Sequence, residues 1–451
     1  MLFMKPSTFH FSIFRSVGLL LIAVCFAASC QPASVTTSNA NANSPNPAGN
    51  ANANSSASNS NANVQAAREA DFPITMPVID AMFTDDEFAA AAKSGANLTD
   101  EEIGKVRDAA RNFVLQMNGQ SEEDANRSTR GAAETTQREL GKLIGEKKAS
   151  DLIAFARTRW AGDFGRLNTS TPNSVPTDTR IVVNSPAYRM DVFKEGELVK
   201  TYKIGIGYPE FPLPTGLRQA KEIIFNPTWT PPDEPWVTGK FQPGKKIEAG
   251  SKLNPLGPIK IPIGYPSLIH GGKDPSRLGT FASHGCVGLT SSMVQDAALE
   301  IAAMGGNNLT AEQIKEYAKN KDETKNVPLA NPVAVELRYE TIVVEDGKVN
   351  VYRDVYERGT NTEENLQRVL SAFGVSMDQL SESERSQLRD ALLRMAVDAR
   401  GNIVMGNENS NSANANSGKV TRNIKGPKVV TVEIAALRGK GYPAPVNLIQ
   451  K

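Results

Sequence analysis

Histidine and cysteine, the two side chains best suited to nucleophilic chemistry near neutral pH, are scarce in this chain and crowd one stretch of it. The sequence holds three histidines, His10, His270 and His284, and three cysteines, Cys25, Cys30 and Cys286. Ile269-His270-Gly271-Gly272 is followed, after a twelve-residue spacer from the histidine, by Ser283-His284-Gly285-Cys286. A cysteine acts as its thiolate, which a neighbouring imidazole generates or stabilises. Attack on a carbonyl also needs unobstructed backbone N–H groups to hold the developing oxyanion. Gly285 leaves the backbone beside Cys286 open to that approach. Three other readings compete: a buried core thiol with structural histidines, a zinc site with an open position, and a retired site that only binds glycan or peptide. Zinc fits poorly, because His284-Gly285-Cys286 crowds two ligands into three residues and only Asp274 adds a carboxylate between 270 and 286.

The N-terminus bears on whether Cys286 has a partner. Lys5 and Arg15 precede an apolar run from Val17 to Ala28, too short for the roughly 20 residues of a membrane span and typical of an export signal. The run ends in Ala27-Ala28-Ser29-Cys30, which resembles a lipoprotein processing site, with Cys30 as the lipidated residue. Cys25 then leaves with the signal (1–30), and Cys286 is a lone thiol in an oxidising compartment, where it needs a reason to persist. Gln31 after the cysteine favours an outer-membrane position by analogy, giving an exported, periplasmic, lipid-anchored protein. Near-neutral charge, +1 overall, gives no footprint for nucleic acid.

The elements that must position the site come next. Residues 31–67 read as a disordered linker: 25 of the 31 residues from 33 to 63 are Asn, Ala or Ser, too polar a set to offset the entropy of ordering. Residues 68–165 read as a helical module of unknown role, with a Thr99/Glu102 capping box, a Leu98/Ile103 staple and a helix face of Val106, Ala110, Phe113, Val114 and Met117. Strand texture begins near 178, with Arg180–Asn184, Tyr188–Phe193 and a turn at Glu195-Gly196 before Leu198–Tyr202. Dense prolines and glycines from 205 to 275 disfavour helices. Helices follow Thr290 and Thr310, strands return over 333–356 around Asp346-Gly347, 358–405 reads as helical, and 406–451 as a low-complexity tract with a strand-like run at 428–437.

The His270 and Ser283–Cys286 segments resemble the signature of the L,D-transpeptidase catalytic domain family (YkuD-like), in its Gram-negative type. Leu213-Pro214-Thr215-Gly216, Asn226-Pro227-Thr228-Trp229-Thr230-Pro231-Pro232 and Asn254-Pro255-Leu256-Gly257 resemble further family segments in the same order, and the resemblance covers 178–357. It implies an α+β multidomain chain whose β-sandwich-like catalytic domain is flanked by helical segments and disordered linkers. It implies that Cys286 attacks the carbonyl of the third residue of a peptidoglycan tetrapeptide stem, releases D-alanine and passes the acyl group to an amine. That amine belongs to another stem (a 3→3 cross-link) or to a protein. His270 is then the base, its ring oriented by the Gly271 carbonyl. The N–H groups of Gly285 and Cys286 form the oxyanion hole, His284 supports the site, and Ser283, Gly272, Lys273 and Arg277 face substrate. A thiol paired with His270 should ionise below the ordinary cysteine value. No cofactor is implied. Gly288 departs from the pattern, since many members carry Arg two residues after the cysteine; Lys273 or Arg277 is the candidate replacement. The alternatives are a non-catalytic peptidoglycan-binding lipoprotein and an L,D-carboxypeptidase or hydrolase on the same stem.

Overall fold

The computed structural model describes residues 72–118, 128–160, 171–229, 245–264, 266–321, 323–397, 424 and 426–448. The chain divides into two units, 1–54 and 55–451, and every described residue belongs to the second. The export signal with His10, Cys25 and Cys30, the Asn/Ala/Ser linker, Thr230-Pro231-Pro232 and the tract from 407 to 418 lie outside the described residues. Among the described residues no helix is long and apolar enough to cross a membrane.

Five helices build the first layer: α1 (Met76–Met82), α2 (Asp86–Gly95), α3 (Asp100–Asn118), α4 (Thr129–Ile144) and α5 (Glu146–Trp160). The capping box forms as the sequence dictates. The Thr99 N–H donates to Glu102 Oε2 at 2.9 Å, and the Glu102 N–H donates to Thr99 Oγ1 at 3.2 Å. Val106, Ala110 and Val114 are buried on one α3 face, and the module has its own core with Phe88, Leu140, Leu152 and Trp160.

The strands are β1 (Arg180–Asn184), β2 (Arg189–Lys194), β3 (Glu197–Lys203), β4 (Ile206–Gly207), β5 (Gly216–Phe225), β6 (Ile259–Pro262), β7 (Leu268–His270), β8 (Phe281–Ser283), β9 (Val287–Gly288) and β10 (Lys325–Arg338). Eight of them form one sheet in the order β3-β2-β1-β10-β5-β6-β7-β9, and β4 pairs separately with β8. The β2–β3 hairpin turns at Glu195 and Gly196, both at positive φ, the turn whose twist matches its flanking strands. β1 and β10 run parallel, as do β7 and β9. Helices α6 (Ser291–Met304) and α7 (Ala311–Lys319) start at the caps Thr290 and Thr310. They bury Met293, Val294, Ala298, Ile301 and Ile314 in the same core as the sheet, so 291–327 is part of the domain's packing rather than an appendage.

The strands β11 (Ile342–Glu345), β12 (Lys348–Tyr352) and β13 (Val429–Glu433) form a separate antiparallel sheet. Helices α8 (Glu363–Ala372) and α9 (Glu382–Met395) share a core with it. The sequence pattern assigns β11 and β12 to the catalytic domain and β13 to a tail; hydrogen bonding instead joins them across 76 intervening positions, with Tyr352 opposite Val429. The architecture is α+β throughout.

Candidate active site

His270 ends β7 and Gly288 ends β9, and the parallel register sets these two residues side by side. Because Cys286 precedes Gly288 by two positions, this short pairing brings the base candidate alongside the nucleophile candidate. The Leu289 N–H donates to the His270 carbonyl at 2.8 Å, the Lys273 N–H donates to the Leu289 carbonyl at 3.0 Å, and Gly205 and Gly288 exchange two bonds of 2.9 Å. The loop carrying Cys286 is thereby tied to its surroundings on both sides.

Two close approaches, one to a side chain and one to backbone, account for the glycines around His270. A Cβ on Gly271 would meet Val294 Cγ1 of α6 at 2.6 Å. Gly272, at φ +79°, lies against Gly257, where a Cβ would meet backbone at 2.9–3.0 Å. The Asn254-Pro255-Leu256-Gly257 turn is itself knotted by Asn254, whose Oδ1 accepts from the Leu256 N–H and whose Nδ2 donates to the Pro227 carbonyl.

The His270 ring is buried, and Nδ1 lies 2.8 Å from the Gly271 carbonyl. A carbonyl only accepts, so Nδ1 carries the proton and Nε2 presents a lone pair. Burial, reinforced by the Lys273 charge, pushes the imidazole from 6.5 down to about 3, against the pull of the Gly271, Leu256 and Pro255 carbonyls. His270 is therefore neutral at physiological pH, a proton acceptor rather than a cation.

Cys286 is a free, partly exposed thiol. Burial of the sulfur raises its pKa above the ordinary value, while the Leu268 N–H and the Lys273 charge pull it down. This corrects the expectation of a low thiol pKa: a neutral imidazole supplies no charge to lower it.

Ser283 also departs from the sequence reading. Rather than facing substrate, it is buried, accepts the Cys286 N–H at 3.0 Å and donates to the Cys286 carbonyl at 2.6 Å. The Cys286 N–H is thus occupied. Gly285, at φ +85°, keeps an N–H with no partner among the described residues, leaving one of the two expected oxyanion donors open.

His284 sits edge-on to Tyr208 and Phe211, with ring centroids 5.1 and 4.7 Å away. Arg277 donates to the Phe281 carbonyl at 2.8 Å and to Tyr208 Oη at 3.3 Å, so it braces this loop. Lys273 takes the other course. Its stem lies over Gly288, where a Cβ would meet Lys273 Cγ at 2.9 Å and Cε at 3.0 Å. Tyr208 and Phe211 carry no motif in the sequence and only the fold brings them here, whereas the Pro255 and Leu256 carbonyls that act on His270 belong to the Asn254–Gly257 segment. Among the described residues no three His, Cys, Asp or Glu side chains gather to hold a metal ion.

Residues 178–328 match the family model described as the L,D-transpeptidase catalytic domain (YkuD). No curated protein matches the chain. Among solved structures, the catalytic domain of an L,D-transpeptidase from E. faecium is 18% identical, with 37% of this chain and 100% of that chain covered and a TM-score of 0.23. An L,D-transpeptidase from Mycobacterium smegmatis is 15% identical, with 36% and 58% covered and a TM-score of 0.22. One from Mycobacterium tuberculosis is 14% identical, with 36% and 57% covered and a TM-score of 0.21. The chain spans less than two thirds of the length of the two mycobacterial proteins.

Proposed function

We propose that this chain is a peptidoglycan L,D-transpeptidase with Cys286 as its nucleophile. The observation that carries the reading is the β7–β9 register, which sets the neutral His270 beside the Cys286 loop inside the stretch that matches the catalytic-domain family. In the first half-reaction Nε2 of His270 accepts the thiol proton, and Sγ attacks the third-residue carbonyl of a tetrapeptide stem. The oxyanion is held by the Gly285 N–H. Collapse breaks the C–N bond, His270 returns the proton to the departing D-alanine amine, and a thioester remains. An acceptor amine then attacks the thioester and gives its proton to Nε2 of His270; the C–S bond breaks, and His270 hands that proton to the sulfur, restoring the thiol. The acceptor is a second stem or a wall-attached protein.

The test uses a carbapenem, whose strained lactam carbonyl offers a thiol the same attack without a leaving group. Full-length protein should gain one carbapenem mass on the Cys286 peptide and should shorten tetrapeptide stems. Cys286→Ala should abolish both, and His270→Ala should slow acylation by roughly 10²–10⁴-fold, the usual worth of a positioned acid–base group. A folded protein that acquires no label and leaves tetrapeptides intact would point to the binding-lipoprotein alternative.

The same proposal includes export and lipid anchoring at Cys30, in the outer membrane facing the periplasm. Cys30→Ser should move the protein from the membrane to the soluble exported fraction. Unchanged fractionation, with no acyl mass on the mature protein, would count against the anchor.

A further inference from the structure

Gly288 has no left-handed backbone, so its lack of a side chain is not a demand of the turn. What a side chain there would displace is the stem of Lys273, whose Cγ, Cε and Cδ lie 2.9, 3.0 and 3.4 Å from the Cβ position. The lysine is anchored from below by its own N–H, 3.0 Å from the Leu289 carbonyl. It crosses the strand pair at the rung His270–Gly288, two residues from the nucleophile. The missing side chain is a slot, and the lysine fills it.

We propose that the Lys273 ammonium, carried on a stem laid across Gly288, is the counter-ion of the Cys286 thiolate, leaving His270 to move protons only. This rests on the reading of Cys286 as the nucleophile. The titratable groups of the site are His270 on β7, Lys273 and Arg277 on the loop after it, and His284 and Tyr208, whose rings meet edge-on. Of the two cations, Arg277 is spent on the Phe281 carbonyl and Tyr208. Lys273 is coupled to Cys286: its charge lowers the thiol's pKa, and the thiol raises the lysine's. Burial, offset by Cys286 and reinforced by Arg277, brings Lys273 down to about 8, so it still carries charge at neutral pH. The Lys273 charge favours the thiolate and works against the burial that raises the thiol's pKa overall.

The test is the pH dependence of iodoacetamide alkylation of the full-length protein, read on the Cys286 peptide by mass spectrometry, with thermal melting as a check on folding. Lys273→Met should move the alkylation midpoint up by a pH unit or more, and Lys273→Arg should restore most of it. Gly288→Ala should shift the midpoint in the same direction by dislodging the stem. The Lys273→Met/Gly288→Ala double variant should go no further than Lys273→Met alone. If Lys273→Met fails to fold, Gly288→Ala and Lys273→Arg carry the test. A midpoint unmoved in the folded variants, or moved equally by His270→Gln, overturns the proposal. Alkylation needs no peptide substrate, so an inert enzyme with a lysine-dependent thiol would sink the transpeptidase reading and leave this one standing.

Discussion

At the scale of single residues the site divides its labour by burial. His270 is held neutral because a charged imidazole would be stranded away from water beside Lys273. This has a thermodynamic corollary with a definite sign. The unfolded imidazole takes up a proton as pH falls past 6.5, whereas the folded one resists to about 3. The unfolded state therefore binds more protons across that window, and stability present above 6.5 is lost progressively on the way down. Melting temperatures measured from pH 7 to 4 should fall for wild type and fall less steeply for His270→Gln. Parallel curves would contradict the buried neutral imidazole. The Cys286–His270 cluster was plain in the sequence, because two rare residue types within 16 positions stand out against any composition. The direction of the thiol's shift was not, since it depends on which neighbours fold over it. The same holds for Ser283, whose hydroxyl could have turned either way until the loop closed.

At the scale of elements, one tyrosine ties both ends of the segment from β4 to β5, beside the bond from the Tyr208 N–H to the Ser283 carbonyl. Tyr356 Oη accepts from the Leu213 N–H at 3.1 Å and donates to the Gly207 carbonyl at 3.0 Å. Both partners flank Tyr208 and Phe211, the rings that sandwich His284. Tyr356→Phe should cost about 1–3 kcal/mol by leaving buried backbone groups unpaired. Urea denaturation should report it as a lower midpoint at unchanged slope. Carbapenem acylation should also slow, since His284 loses its fixed walls; an unaltered midpoint would remove Tyr356 from this role. Helix starts were legible at this scale because capping is local: Thr99, Thr290 and Thr310 each announced one. Strand pairing was not, since alternation reveals a strand but never its neighbour.

At the scale of the whole molecule, segments distant in sequence close on the domain of the eight-stranded sheet. The helical module reaches it through Thr75, whose hydroxyl donates to the Glu210 carbonyl at 2.6 Å, and through Arg218, which donates to the Trp160 carbonyl. From the other end, Tyr442 sets its hydroxyl 3.0 Å from Asp191 Oδ2 and its ring 5.8 Å from that of Phe193. Arg189 beneath it is bonded to Asp191 and Glu345. Tyr442→Ala should lower stability by about 3–5 kcal/mol, the range for removing a buried aromatic ring. Chemical denaturation of the full chain checks this, and a loss under 1 kcal/mol would show that the C-terminal stretch merely rests on the sheet. In the sequence, that stretch read as a tail because a lone tyrosine carries no sign of where it docks.

The position of β10 has a consequence in time. It lies between β1 and β5, joining a three-stranded half-sheet to a four-stranded one, yet it follows all of their residues in the chain. A chain emerging from its N-terminus holds two half-sheets with open edges until residue 338 arrives, and pairings of such long sequence separation form slowly. Every rung between β1 and β10 uses a residue from Ala334 to Arg338. A fragment trimmed to the matched stretch, ending at 328, would keep His270 and Cys286 and lose the seam that makes their sheet one piece.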